Sequence, residues 1–547
     1  MKNFMLRVLG CWLFAGITSC AFKSKHADLV IHNAVIYTVD NEFSVAQAMA
    51  IENGVIIAVG PEREVMNEYS ADEYVDCAGK FVYPGFIDAH CHFLAYGRTL
   101  QEVSLDSTKS FDEILSRLKH AKIPESGWLV ARGWDQNDWA DPAYPKIDRL
   151  DSLFPDIPVV LQRIDGHALL VNSQALSLCG LKGEEKINGG EIDVRYGLLL
   201  DNAMIKIWDT MPEKTKAEDE RALLDAQENC FKVGLTTISD AGLKKKDVDL
   251  IRELQTAGKL KIRVYAMLAD DSTNLAHYLA NGIDTASKSL TVRAFKFYAD
   301  GALGSRGACL IDPYNDLLPE KKYGLMLNDP DYFRRHAYLL KEKGFQMCTH
   351  AIGDSANRVI LNIYGEVVGD LPDHRWRIEH AQVVHESDLS KFGQFHVIPS
   401  IQPTHATSDM PWAPERLGRN RMYRAYAYRK LKEQLGMAAL GTDFPVEDIS
   451  PLKTFYAAVH RKKPGNESSE GFQMEDALSR EDALRGMTIW AAIANFQEKD
   501  RGSIEVGKQA DFTISPIDLM KVQSDFDLTK ADLRTFISGL NVSQLNN

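Results

Sequence analysis

Six side chains of the kinds that hold metal ions stand out along the chain: His90, His92, Lys296, His350, His380 and Asp443. His90 and His92 are two residues apart. Side chains of an extended strand alternate, so both imidazoles face one side and Cys91 the other. Two imidazoles on one inward face form a natural chelate, and neutral imidazole together with carboxylate suits zinc and its neighbours. Each residue alone has a plainer explanation. A single histidine is usually structural, Lys296 could serve in a salt bridge, and Asp443 could cap the following helix. Taken together, the six fall toward the ends of five strand candidates, and that joint pattern points to a metal site.

Eight windows read as strands: 85–92, 234–242, 261–268, 292–301, 345–354, 375–382, 396–405 and 437–447. Most are followed by helical stretches, which predicts α/β architecture with parallel strands. Eight such units make a (β/α)8 TIM barrel, whose chemistry sits at the C-terminal mouth. The barrel is expected over 84–98 and 216–499. The gap after the first strand is too long for a connection, so 99–215 reads as an inserted subdomain. Segments 28–83 and 500–547 are both rich in short strands and turns, which suggests one small β-domain assembled from both chain ends.

Residues 1–19 read as a signal peptide. Lys2 and Arg7 precede an apolar run, Val8 to Ile17, too short to span a bilayer. Ile17-Thr18-Ser19-Cys20 resembles the lipobox of bacterial lipoproteins, which implies a lipid anchor on Cys20. The expected location is a membrane, on its periplasmic or outer side. An ordinary secretory signal is the alternative. Six further cysteines, from Cys77 to Cys348, are scattered without a CxxC pair and read as buried free thiols. The composition is 45% hydrophobic and 25% charged, with a formal net charge of −13. That balance gives no support for nucleic-acid binding, which wants a basic face.

The motifs GFIDAHCH, FKFYADGALGSRGACL, THAIGDSAN, RIEHAQ, LGTDFP and GSIEVGKQADF resemble the amidohydrolase superfamily. The match is best to its YtcJ-like branch, which includes N-substituted formamide deformylases, and it runs from about residue 28 to about 516. The resemblance implies that the β-domain is a sandwich and that the barrel mouth holds one or two divalent ions, zinc foremost. It implies His90, His92, His350, His380 and Asp443 as ligands. Lys296 stands where many members carry a lysine N6-carboxylated by CO2 that bridges two metals. An unmodified ammonium has no lone pair to offer. The site is therefore expected to be binuclear with the modification and mononuclear without it.

The expected reaction is hydrolysis of a non-peptide, amide-type carbon–nitrogen bond in a small molecule by metal-activated hydroxide. Asp443 would move the proton, and His350 or His380 would stabilise the oxyanion. Lactones, esters or cyclic imides are alternative substrates of the same site, and an inactive ligand-binding lipoprotein is an alternative of another class. Substrate contacts are expected from Trp134, Asp135, His167 and Asn172 in the insertion and from Asp300, Arg306 and Gln402 in barrel loops. Each of these could equally fix the insertion onto the barrel. The partners foreseen are the substrate, the membrane through Cys20 and, as an open alternative, a second copy in a homodimer.

Overall fold

The computed structural model describes residues 25–123, 126–183, 185–317, 319–464, 470–523 and 531–543. Cys20 and the signal segment lie outside the described residues. Among those residues, no helix is long and apolar enough to cross a membrane.

Eight parallel strands follow one another around a nearly closed barrel: β1 (Phe86–Cys91), β2 (Leu235–Leu243), β3 (Arg263–Ala269), β4 (Leu290–Tyr298), β5 (Gln346–Ala351), β6 (Arg377–His380), β7 (Ile398–Ile401) and β8 (Ala439–Leu440). Every expected window contributes its strand. Most residues of these strands are buried, as a sheet covered by helices on one side and a packed interior on the other requires. The intervening helices are signalled locally. Thr215 and Glu218 form a reciprocal capping box before Lys216–Lys232. Pro330 opens Pro330–Lys343, and Gly344 ends it in the left-handed conformation.

The barrel floor is polar. The Arg377 guanidinium, fully buried, donates to Ala89 O (3.2 Å), Gln346 Oε1 (3.2 Å) and Asn495 Oδ1 (3.0 Å). Tyr265 Oη donates to the same glutamine oxygen at 2.9 Å. Each of these groups finds a partner, which is the condition for burying them.

Three further sheets surround the barrel. Between β1 and β2, strands within 103–201 form a six-stranded sheet with its own apolar core, including Leu105, Leu161 and Leu199. Lys25–His32, Ala48–Glu52, Val55–Gly60 and Tyr69–Asp76 form a four-stranded sheet. In a second six-stranded sheet, Phe81–Pro84 pairs with Val35–Tyr37 on one side and with Phe512–Ser515 on the other, joining both chain ends. These two sheets share a core in which Phe512 and Phe536 stack at 4.4 Å. Arg263, at the start of β3, ties that core to the barrel through a two-pronged ion pair with Asp511 (2.5 and 2.8 Å). All six described cysteines are free, four of them buried.

The barrel closes where β8 meets β1. Asp443 N donates to His90 O and His92 N donates to Phe444 O, each at 2.8 Å. Gly441 makes this approach: a Cβ there would lie 2.5 Å from His90 N and 2.9 Å from His90 O. Backbone atoms cannot yield cheaply, so Gly441→Ala should destabilise the fold by about 1–3 kcal/mol, in the range of overpacked interiors. It should also lower metal content, because the same seam carries His90 and Asp443. Chemical denaturation and metal analysis check both, and wild-type values for both would show that the seam can relax.

Candidate metal centre

All six residues singled out by type and spacing converge at the C-terminal mouth. His90 lies near the end of β1, and His92 precedes helix Phe93–Thr99. Lys296, His350 and His380 come from β4, β5 and β6, and Asp443 from the loop after β8. The His90 ring centroid lies 5.6 Å from that of His92 and 4.9 Å from that of His380, and the His380 and His350 rings are 4.5 Å apart. Asp443 Oδ1 stands 3.5 Å from His90 Nε2 and 3.3 Å from His92 Nε2.

Two of these residues sit on unusual backbone. His380 has φ of 73° and Asp443 of 63°, left-handed conformations that cost non-glycine residues of order 1–3 kcal/mol each. On β6, alternation alone would send Glu379 and His380 to opposite faces. The left-handed step at His380 brings both into the same interior.

Three imidazoles are held by their Nδ1 atoms. His90 Nδ1 donates to Glu379 Oε2 (2.6 Å), His92 Nδ1 to Ala241 O (2.9 Å) and His380 Nδ1 to Gln402 Oε1 (2.8 Å). A carbonyl or carboxylate oxygen only accepts, so the proton of the neutral ring is on Nδ1 and Nε2 carries the lone pair. Burial, followed by the charge of Lys296, lowers His90 to about 4. Burial and neighbouring cations hold His350 and His380 well below the usual histidine range. Glu379 resists its own burial because His90, Arg377 and Lys296 hold it near 2. The Asp443 carboxyl, likewise buried, lies against His92, His90 and His380 and stands well below the usual carboxylate range.

The donor set fits a divalent cation. The lone pairs of His90 and His92 face Asp443 Oδ1, and that buried oxygen has no hydrogen-bond partner; neither have His350 Nε2 and His405 Nε2. Lone pairs opposed across 3.3–3.5 Å repel unless positive charge lies between them. The ligand atoms of His90, His92 and Asp443 lie within 4.8 Å of one another, as do those of His380, His405 and Asp443. Lys296 Nζ donates to His90 Nε2 at 3.0 Å, and burial lowers its pKa.

Above these groups is a cavity of about 260 Å³. The insertion supplies part of its wall through Asp135, Arg163, Asp165 and His167, and the loops after β7 and β8 supply Asp409 and Glu447. Arg163 is fully buried and paired with Asp135 and Asp165. His167 Nδ1 donates to Asp201 Oδ1 at 2.7 Å, and its ring lies 5.1 Å from that of His350.

The remaining expected contacts are placed elsewhere. Trp134 does not reach the cavity: its indole N–H donates to Leu161 O (3.0 Å) within the insertion's core. Asn172 does not reach it either. Its side chain caps helix Ser173–Leu178 and accepts from Val159 N, because a buried amide must satisfy its own polar atoms. Arg306 pairs with Asp316 (2.8 Å) outside the lining. Asp300 and Gln402 act one step back. Asp300 accepts from the backbone N–H of Ile352, Gly353 and Cys309 (2.8–2.9 Å), with one oxygen 3.6 Å from His350 Nε2, and Gln402 holds His380.

Sequence reasoning passed over Glu379, His405, Arg163, Asp409 and Glu447. Glu379 carried one signal, its place beside His380 in RIEH. His405 carried another, its place at the end of the seventh strand window.

Residues 73–539 match the model of the amidohydrolase family. The Bacillus subtilis (strain 168) protein YtcJ is 30% identical over 88% of this chain and 93% of its own length. N-substituted formamide deformylase of Arthrobacter pascens is 26% identical over 94% of this chain and 98% of its own. The crystal structure of an uncharacterized metal-dependent hydrolase from Pyrococcus horikoshii OT3 superimposes with a TM-score of 0.75 at 27% identity, covering 91% of this chain and 99% of that one.

Glu379→Gln preserves shape but removes the charge that orients and polarises His90. Partners of metal-ligating imidazoles contribute roughly 10–100-fold to affinity, and a loss of that size is expected in competition against a chromophoric chelator. Unchanged affinity would leave Glu379 only as a partner of Arg377.

Proposed function

The chain belongs to the amidohydrolase family, and from that premise we propose that it is a metal-dependent hydrolase of amide-type carbon–nitrogen bonds in a small molecule. One observation carries the reading: His350 Nε2, His405 Nε2 and an oxygen of the Asp443 carboxylate, all buried without hydrogen-bond partners, converge with His90 and His92 at the floor of a cavity. His90, His92 and Asp443 would hold the cation, with His350 and His380 beside them. A divalent ion there, zinc by ligand type, supplies Lewis-acid activation of water and of the scissile carbonyl.

The protein's own groups do the rest. Asp443 stays ionised at neutral pH and so can accept the proton of the attacking water and deliver it to the leaving amine. His350 and His167, adjacent on the cavity wall, are available to hydrogen-bond the developing oxyanion. The insertion supplies one side of the cavity wall. Formamides head the candidate substrates, because the deformylase resembles this chain over nearly its whole length. The same chemistry would open a lactone or an ester, so a panel decides. Zinc-loaded protein should hydrolyse N-substituted amides in preference to lactones and esters. Asp443→Asn should lower that turnover roughly 10²–10⁴-fold, as expected for loss of a general base. Turnover of lactones or esters alone would overturn the carbon–nitrogen reading.

N6-carboxylation of Lys296 belongs to the same proposal. Its support is a buried amine 3.0 Å from a ligand nitrogen with no carboxylate ion pair among the described residues. The ammonium first loses a proton; attack of the resulting neutral amine on CO2 forms the N–C bond and releases a second proton, so that a cation becomes an anion that suits a metal site. Protein reconstituted in 13C-bicarbonate should show a carbamate carbon resonance that Lys296→Ala lacks. Full activity without that resonance would overturn the modification.

A further inference from the structure

The cavity wall is acidic. Outside the metal centre it carries six carboxylates, against two lysine or arginine side chains among the described residues, Arg163 and Lys463. Arg163 is already paired with Asp135 and Asp165, and Lys463 is exposed to solvent. Two of the carboxylates, Asp409 and Glu447, meet on one side of the mouth. Asp409 ends helix Pro403–Asp409, which starts two residues after β7, and Glu447 lies in the loop after β8.

The hydrogen-bond donors that reach this pair are neutral. Tyr426 Oη (2.8 Å) and Gln382 Nε2 (3.0 Å) donate to Asp409 Oδ2, and Ser408 Oγ lies 3.4 Å from Asp409 Oδ1 and 2.5 Å from Glu447 Oε1. Neither carboxylate makes an ion pair among the described residues. Burial pushes both up to about 7, and a cation beside them would restore the ionised form. His405, from the same helix as Asp409, lines the cavity with its side chain nine-tenths buried, and its Nε2 has no hydrogen-bond partner. A buried polar atom without a partner, beside two carboxylates without a counter-ion, calls for a ligand that brings both N–H groups and positive charge.

We infer that Asp409 and Glu447 form a subsite for a positively charged nitrogen, an ammonium or guanidinium group, that the substrate carries on an apolar stem. The inference rests on the hydrolase reading above and narrows its substrates to amides with a cationic group away from the scissile bond. Each carboxylate can accept one N–H of such a group, and His405 Nε2, on the same wall, can accept another. Charge-assisted hydrogen bonds of this kind are roughly twice as strong as neutral ones. Val446 and Trp412, close to the two carboxylates along the chain, also line the cavity and offer apolar surface for the stem.

The test compares two formamides of matched length on zinc-loaded protein, N-(4-aminobutyl)formamide and its neutral counterpart N-pentylformamide. Wild-type protein should favour the cationic compound in kcat/KM by roughly 10–100-fold, the worth of a hydrogen bond to a charged group, with the difference in KM. Asp409→Asn and Glu447→Gln keep shape and remove one charge each, and each should lower that preference about tenfold. The preference is a ratio within one variant, so a general loss of stability or metal cancels from it. Turnover of both formamides with no preference in wild-type protein, or with a preference unchanged in both variants, would overturn the subsite and leave the hydrolase reading intact. Calorimetric binding of the cationic compound that weakens in both variants, without turnover of either formamide, would uphold the subsite and overturn that reading.

Discussion

The two backbone hydrogen bonds between β1 and the loop after β8 are the contacts on which the site depends. They close the barrel, and they also set the Asp443 carboxylate against the imidazoles of His90 and His92. The approach is close enough to exclude a Cβ at Gly441. Asp88 reinforces it from below, accepting from His90 N, Thr442 N and Thr442 Oγ1. First and last strands therefore meet at the place where their functional side chains are needed. The strained backbone of Asp443 is held there by its surroundings and not by its own preference.

Electrostatics extends the same order downward. A neutral imidazole presents its Nε2 lone pair only if something fixes the proton on the other nitrogen, and Glu379, Gln402 and the Ala241 carbonyl do so. Glu379 would be costly alone in the interior, but Arg377 beneath it and His90 above it share its charge. Arg377 is in turn satisfied by Gln346, Asn495 and a carbonyl of β1. The polar floor is therefore part of the centre's support.

The eight strand windows and the six convergent residues were legible in the sequence because apolar runs ending in metal-type residues leave a local trace. What lay beyond them depended on tertiary geometry. The 437–447 window is strand only over Ala439–Leu440, since the backbone turns left-handed at Asp443. The 396–405 window stops at Ile401 because Pro403 opens a helix, and His405 was hidden as the tail of a strand. Asp300 looked like a substrate contact beyond Lys296, yet its carboxyl oxygens hold the backbone N–H groups of two loops. The aromatic and polar density around Trp134 and Asn172 signalled a packed core in the insertion. Composition cannot distinguish that from a lining.

The sheet shared by both chain ends has a bearing on how the protein is made. The four-stranded sheet draws its strands from residues 25–76 alone, but the core beneath it is completed only by Phe512 and Phe536 from the far end of the chain. Phe81–Pro84 cannot complete its pairing until Phe512–Ser515 has been synthesised. At about 5–20 residues per second, the delay is on the order of tens of seconds. During that interval one edge of Phe81–Pro84 stays open, the condition under which strands pair with the wrong partner. The final strands of the chain thus act as a cap applied late, and a nascent chain released before they emerge would carry an adhesive edge.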